Sequence, residues 1–381
     1  MSAPTQWKRH AERLAAEVTS PVSRWRNAVA DTPRHLFVPR WWERADGGAW
    51  TLRDGSADAA AWLRAAYSDT SLVTRVGPRH ADHARPGEQV SGRPTSSSTM
   101  PGLVVRMLRH AELYDGADLA LIGAGSGAST ALAVHRLGER HVTAVDVDPY
   151  LTEAAAARLG ALGMAPRVLT GDVMGSLPGG FDRLVSLVAL PHLAGALGAL
   201  RPGGRLVTTL ARMPVIVTAT KEEDGGARGV VEWDRAGFMA ARSGDDYPAD
   251  AYRVFTAVRD REGDEVTSGR YPVLNVSEAW DVRAMLELAE PGGVEAYYEE
   301  DGERRTAWLV HPDGSWARAR ATWLDPPTVH QGGPRRLWTT LERIRNRLNA
   351  EGGLPVYGSR VRVTPDGVCH FRRGAWTASY G

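Results

Sequence analysis

The chain has 381 residues, with 46 Lys plus Arg against 45 Asp plus Glu and a formal charge of +1. That balance excludes a global electrostatic footprint for nucleic acid or for an anionic membrane. Apolar residues at 43% and charged residues at 24% exclude wholesale disorder, and the length suits two or three domains.

In chain order, the segment Met1 to Ala15 is polar and lacks the apolar core of a secretory signal. No window approaches the roughly 20 apolar residues of a membrane span, so a cytoplasmic protein without membrane contacts is expected. Gln6 to Val18 is an amphipathic helix with Trp7, Leu14 and Val18 near one face. A second helix runs from Val22 to Ala30 and stops at Thr32-Pro33. Pro78 to Ser98 is nearly devoid of apolar residues and is expected to be a long exposed loop, with His80 and His83 as an exposed pair rather than metal ligands.

The middle of the chain alternates apolar strands with Ala-rich helices. Leu119 to Ile122, His141 to Val147, Val168 to Gly171, Phe181 to Leu190 and Arg205 to Leu210 are the strands. Helices are expected over Ala128–Leu137, closed by Gly138, and over Pro149–Leu162, closed by Gly163, with a third reaching Leu200. This alternation gives a doubly wound α/β sheet. The stretch Lys221 to Gly229 reads as a solvated loop or domain boundary. Beyond it the pattern is α+β: a helix from Ser277 through Ala289, a hairpin turning at Asp301-Gly302, a strand over Ser315–Thr322, a helix over Arg335–Ala350, and a final hairpin at Asp366-Gly367. The single cysteine, Cys369, excludes an intrachain disulfide and any Cys-built metal site, and no metal is expected. The division is 1–98 as an N-terminal helical and loop segment, 99–220 as the α/β core, and 221–381 as a C-terminal α+β domain.

Gly123-Ala124-Gly125-Ser126-Gly127 follows a strand and opens a helix. Such a turn lets the backbone approach a ligand closely and presents free N–H groups. The GxGxG spacing departs from the GxGxxG dinucleotide fingerprint, which disfavours NAD. Asp146, followed by Val147, ends the second strand, where a carboxylate can accept from both hydroxyls of a ribose. Asp172, followed by Val173, ends the third, where a carboxylate can meet an adenine amino group. Together these describe S-adenosylmethionine binding of the class I methyltransferase kind. One position departs from that pattern: Leu121 stands where such enzymes carry an acid, two residues before the first glycine. Loss of one charge-assisted hydrogen bond there would weaken cofactor binding by on the order of tenfold to a hundredfold.

Arg34-His35-Leu36-Phe37-Val38-Pro39 and Ala66-Tyr67-Ser68-Asp69, with Leu72 and Thr74, resemble the N-terminal half of protein-L-isoaspartate O-methyltransferases. Ser97-Ser98-Thr99-Met100-Pro101 resembles that family's Thr-Ile-Ser-Gln-Pro motif, and Gly171-Asp172, Phe181-Asp182-Arg183 and Pro202-Gly203-Gly204 continue the likeness through about residue 212. The resemblance implies that Ser97, Ser98 and Thr99 hold the substrate carboxylate beside the helix that opens at Pro101, with Thr99 in the place of the motif serine and a helix N-cap as its other role. The Ser-rich run, Trp41-Trp42 and the C-terminal extension are similar to a specialised branch encoded with ribosomally made peptides, most like the version associated with ATP-grasp-crosslinked peptides (graspetides). That implies methylation of one aspartate in a modified precursor peptide, closing afterwards to an aspartimide, with the peptide-modifying enzyme as a further partner. Two readings compete with it: a general isoaspartyl repair enzyme, and a catalytically weak peptide-binding protein, which Leu121 favours.

Overall fold

A computed structural model describes residues 6–45, 48–243 and 252–381. The first five residues of the Met1 to Ala15 segment lie outside them. Among the described residues no helix is long and apolar enough to cross a membrane.

The N-terminal region contains α1 (Gln6–Val18), α2 (Arg26–Asp31), α3 (Arg34–Phe37), β1 (Arg40–Arg44), β2 (Trp50–Asp54), α4 (Ala59–Ala66), β3 (Leu72–Val76), β4 (Arg79–His80), β5 (Gln89–Val90) and β6 (Pro94–Ser98). The middle contains α5 (Pro101–His110), β7 (Leu119–Ile122), α6 (Ala128–Leu137), β8 (Val142–Asp146), α7 (Pro149–Gly160), β9 (Arg167–Thr170), β10 (Phe181–Leu190), α8 (Ala194–Ala199), β11 (Leu200–Leu210), β12 (Met213–Lys221) and β13 (Ala227–Arg235). The C-terminal region contains α9 (Tyr252–Val258), β14 (Glu265–Ser268), α10 (Trp280–Ala289), β15 (Glu295–Asp301), β16 (Arg304–Val310), β17 (Trp316–Thr322), β18 (Thr328–Gly332), α11 (Leu337–Glu351), β19 (Arg360–Val363), β20 (Cys369–Arg373) and β21 (Trp376–Tyr380).

The central sheet has ten strands in the order β21-β20-β19-β13-β12-β11-β10-β7-β8-β9. Strands β11, β10, β7, β8 and β9 are parallel, and the rest extend the sheet antiparallel from β11. Strand β7 is flanked by β8 on one side and β10 on the other, so the chain reverses its direction of winding there. Ligands of open α/β sheets bind outside the carboxyl ends of the strands at such a point. Strand β7 is apolar throughout because both faces are covered. Leu119 and Leu121 pack with α1, α5 and α6 around Leu14, Val105 and Leu132, while Ala120 and Ile122 pack into the cluster on the other face.

That second cluster runs without a break from Leu184 and Val217 through Leu286, Leu309 and Leu341 to Phe371. The C-terminal region therefore shares its core with the central sheet. The boundary at 220/221 falls in the β12–β13 hairpin, where Glu222 N donates to Gly226 O at 2.8 Å, and the sheet crosses it. Lys221 and Ala227 to Gly229 are thus paired strand residues, joined by a turn over 222–226 rather than a linker. A second sheet, β14-β18-β17-β16-β15, lies within the C-terminal region, with α11 against its central strands and α10 against β12.

The N-terminal region departs most from expectation. It is built around a six-stranded antiparallel sheet, β4-β3-β1-β2-β5 with β6 also paired to β3, and Pro78 to Ser98 supplies three of its strands rather than an exposed loop. Strand pairing uses backbone groups, so small polar residues can occupy a ladder without any apolar alternation. His80 is not exposed: it is 5% accessible and packs edge-on against Tyr150, whose hydroxyl donates to Asp82 at 2.7 Å. Trp41 and Trp42 are buried in the core.

Candidate functional site

A cavity of about 970 Å³ opens at the carboxyl ends of β7, β8 and β10. Its floor is the glycine turn. Gly125 has φ +50°, a conformation that favours glycine, and its N–H donates to Asp146 Oδ2 at 2.9 Å. Asp146 Oδ1 accepts from Asp148 N at 3.2 Å. Burial pushes the Asp146 carboxyl upward from the usual carboxylate range, and these two N–H groups oppose the shift. Asp146 and Val147 line the cavity. Asp172 accepts from Met174 N at 2.8 Å, and its neighbours Gly171 and Val173 supply the lining at that place.

The Ser-rich motif reaches the same cavity. Ser97 and Ser98 end β6, and both line the space together with Thr99. A Cβ placed on Gly125 would stand 3.5 Å from Ser97 O, so the motif backbone lies directly against the glycine turn. The Ser98 hydroxyl is buried and has no hydrogen-bond partner among the described residues. A buried hydroxyl left in that state costs roughly 1–3 kcal/mol.

The motif is placed by two residues whose role sequence reasoning missed. Arg34 is buried, and its guanidinium donates to five carbonyls: Ala66 O, Ser68 O, Thr70 O, Ser98 O and Thr99 O, at 2.9–3.3 Å. Burial pulls its pKa down to about 10, so it stays charged at neutral pH. Asp69 accepts from Gly102 N at 2.7 Å, and a Cβ on Gly102 would stand 2.5 Å from Asp69 Oδ2. The amino end of α5 is therefore already occupied by a carboxylate. This corrects two expectations. Thr99 is not the N-cap: Met100 is, with no side-chain cap, because the residue before Pro101 is held extended at φ −53° and ψ 129°. Nor is the end of α5 open to a substrate carboxylate.

The C-terminal region supplies the far wall, through Phe238 to Arg242, Arg283 and the loop Gly292 to Val294 that leads into β15. Residues of all three regions meet beside Asp146. Asp148 accepts from Arg242 at 3.1 Å and from Arg75. Across the mouth, Arg93 grips Glu295 bidentately at 2.5 and 3.0 Å. Leu121 does not reach the cavity. It is fully buried, packed among Leu119, Val185 and Ile216. Among the described residues no group of three His, Cys, Asp or Glu is placed to hold a metal ion.

No protein-family model matches the chain. The protein-L-isoaspartate O-methyltransferase of Thermococcus onnurineus is 31% identical over 150 residues, which is 38% of this chain and 68% of that protein. The chain belongs to the protein-L-isoaspartate O-methyltransferase family. A family member from Hyperthermus butylicus is 28% identical over 213 residues, covering 52% of this chain and 73% of its own length. A solved structure titled protein-L-isoaspartate O-methyltransferase superposes over 98% of both chains with a TM-score of 0.50 at 16% identity, a likeness of fold. The fold is that of class I methyltransferases. Membership makes the chain an S-adenosylmethionine-dependent carboxyl O-methyltransferase, and the residues present suit that cofactor. Asp146 lines the cavity and keeps acceptor capacity beyond its two backbone bonds, and the glycine turn lines it beside that carboxylate.

Proposed function

We propose that this methyltransferase esterifies one aspartate of a side-chain-crosslinked, ribosomally made peptide. The ester then closes to an aspartimide as the following backbone nitrogen attacks it and methanol leaves. The observation that carries the reading is the composite cavity: its floor, motif wall and far wall come from three regions of the chain. An enzyme that selects one carboxylate in a shaped peptide uses contacts remote from the reacting carbon to orient it. The peptide-modifying enzyme is a further partner in this reading, and the setting is cytoplasmic.

Bound S-adenosylmethionine supplies an electrophilic methyl group. Asp146, with Val147, would accept from its ribose hydroxyls; the turn Gly123, Ala124, Gly125, Ser126 and Gly127 would admit it closely; Asp172 and Val173 would border its base. The substrate carboxylate is already ionised near pH 7, so the protein needs no general base. Ser97, Ser98 and Thr99 hold that carboxylate, through the segment that lines the cavity beside the glycine turn. Arg34 and Asp69 fix the segment that carries them. Correct alignment of two reactants lowers a barrier by roughly 7–11 kcal/mol.

The test compares methylation of a lactone- or lactam-bridged aspartyl peptide, its linear form, and an unfolded isoaspartyl protein. The reading requires the bridged peptide to be preferred at least tenfold. Preference for the isoaspartyl protein makes the chain a repair enzyme instead. Failure to bind S-adenosylmethionine in calorimetry makes it a peptide-binding protein.

A further inference from the structure

Two arginines of the cavity wall are not used by the mechanism above. Arg283 lies on α10 and lines the cavity. Among the described residues its one hydrogen bond is a long contact to Ser277 O at 3.4 Å, and it has no ion pair within 4.0 Å. The two carboxylates nearest in its field are committed elsewhere. Glu295 accepts from Arg93 and, at 2.8 Å, from the Tyr297 hydroxyl. Glu287 is buried, with a pKa raised by that burial, and it accepts backbone N–H groups from Gly292 to Val294. Burial correspondingly pulls the Arg283 guanidinium downward. A half-buried cation with so little compensation is costly unless an anion joins it.

Arg212 is the second. It follows β11 at φ +64°, a left-handed conformation rare for a residue with a branched-off side chain, and its nearest acid is Glu287 at 3.9 Å. Leu210 pairs with Met213, so Arg212 takes the second place of the two-residue turn between β11 and β12, which accounts for that conformation. Its guanidinium lies over the Gly293 loop, where an added Cβ would meet Arg212 Nε at 2.8 Å. Both arginines thus border the Gly292–Val294 loop or its anchor, Glu287.

Position separates this pair from the cofactor floor. Adjacent strands lie about 4.8 Å apart, so β11 stands about 10 Å from β7 and about 14 Å from β8. Asp146 and the glycine turn belong to β8 and β7, and Arg212 to the β11 side. The cavity, at the upper end of the usual 300–1,000 Å³ range for ligand sites, has room for more than one group.

We propose that Arg283 and Arg212 form an anion subsite for a second carboxylate of the peptide, an acidic residue next to the aspartate that is methylated. The inference rests on the proposed carboxyl-methyltransferase reading and adds a sequence preference to it. An arginine fork fits a carboxylate bidentately, and such charge-assisted bonds are among the strong ones.

The probes are two lactone-bridged aspartyl peptides that differ only at the residue after the acceptor, Asp in one and Asn in the other. Calorimetry with S-adenosylmethionine runs beside them. The full-length enzyme should prefer the Asp peptide by about tenfold in kcat/KM, mostly through KM. Arg283→Gln should reduce that ratio below about twofold, Arg283→Lys should retain part of it, and Arg212→Gln should lower it. Because the readout is a ratio within one variant, partial loss of folded protein does not mimic the effect. Equal use of both peptides by the parent enzyme, or a ratio preserved in Arg283→Gln, overturns the subsite. A cofactor dissociation constant raised tenfold or more in folded Arg283→Gln also overturns it, since the arginine would then serve the cofactor. Methylation of neither peptide would instead fault the carboxyl-methyltransferase reading itself.

Discussion

Replacing Arg34 with methionine removes a guanidinium that binds five backbone carbonyls and leaves those carbonyls in the protein interior. Each unsatisfied buried acceptor costs about 1–3 kcal/mol, and the five are not additive because the segment relaxes. A net loss of about 3–5 kcal/mol is expected, which lowers the thermal midpoint by on the order of 10 °C. Function should fall further than stability implies. Two of the five carbonyls belong to Ser98 and Thr99, whereas none belongs to the glycine turn. At a temperature where the variant is fully folded, kcat on an isoaspartyl peptide should therefore drop at least tenfold while the S-adenosylmethionine dissociation constant, from calorimetry, moves less than threefold. Arg34→Lys keeps the charge but has three donors without the planar fork, so it should recover part of kcat. An Arg34→Met enzyme with parental kcat, or one whose cofactor affinity and kcat fall together, would refute the assignment of Arg34 as the residue that positions the motif.

Asp146→Ala should weaken S-adenosylmethionine binding at least tenfold by calorimetry in a folded variant; an unchanged dissociation constant removes the ribose assignment. Leu121→Glu should destabilise by about 3–5 kcal/mol in urea unfolding, since it exchanges a fully buried apolar side chain for a buried carboxyl; a tighter cofactor complex would show that an acid can reach the loop after all. Stability should rise with pH between about 4 and 6.5. Burial lowers the His35 pKa to about 4, so the unfolded chain binds the extra proton in that window and folding is penalised as pH falls through it. His35→Phe should reduce that slope, with His80, whose pKa burial likewise lowers to about 4, supplying the rest; an equal slope in the variant would assign the effect to other groups.

The parallel half of the central sheet was legible in the sequence because its inner strands are buried on both faces. Leu119–Ile122 and Leu187–Leu190 stand as apolar runs ended by glycine or proline, and α6 ends at Gly138 where expected. The N-terminal sheet was illegible for the opposite reason. Strands such as Pro94–Ser98 carry small polar side chains, and their ladder with Leu72–Val76 leaves no trace in hydropathy. Strand β19 pairs with β13 across more than a hundred intervening residues, a juxtaposition with no local signal. At the site, the glycine turn and Asp146 announce themselves by spacing. Arg34 and Asp69 do not, because their partners lie 32 residues or more away, as with the Arg34–Ala66 and Asp69–Gly102 bonds. Thr99 looked like a helix cap because it is a threonine near a helix start, but Pro101 at the first turn assigns that place to Met100. The continuous core through Val217, Leu309 and Phe371 has a practical consequence. Removing residues 230–381 would open that core, so substrate selection is better examined with single substitutions in the intact chain.

The account stands or falls on the atom that is methylated. Incubation with S-adenosylmethionine labelled in its methyl group, followed by mild alkali, distinguishes a carboxyl ester from every other product. The label transferred to a bridged aspartyl peptide should be released quantitatively as volatile methanol, with a succinimide appearing at a single aspartate in tandem mass spectrometry. Label that survives alkali on the peptide, or a folded enzyme that binds S-adenosylmethionine yet transfers no methyl to any aspartyl or isoaspartyl carboxylate, would contradict it.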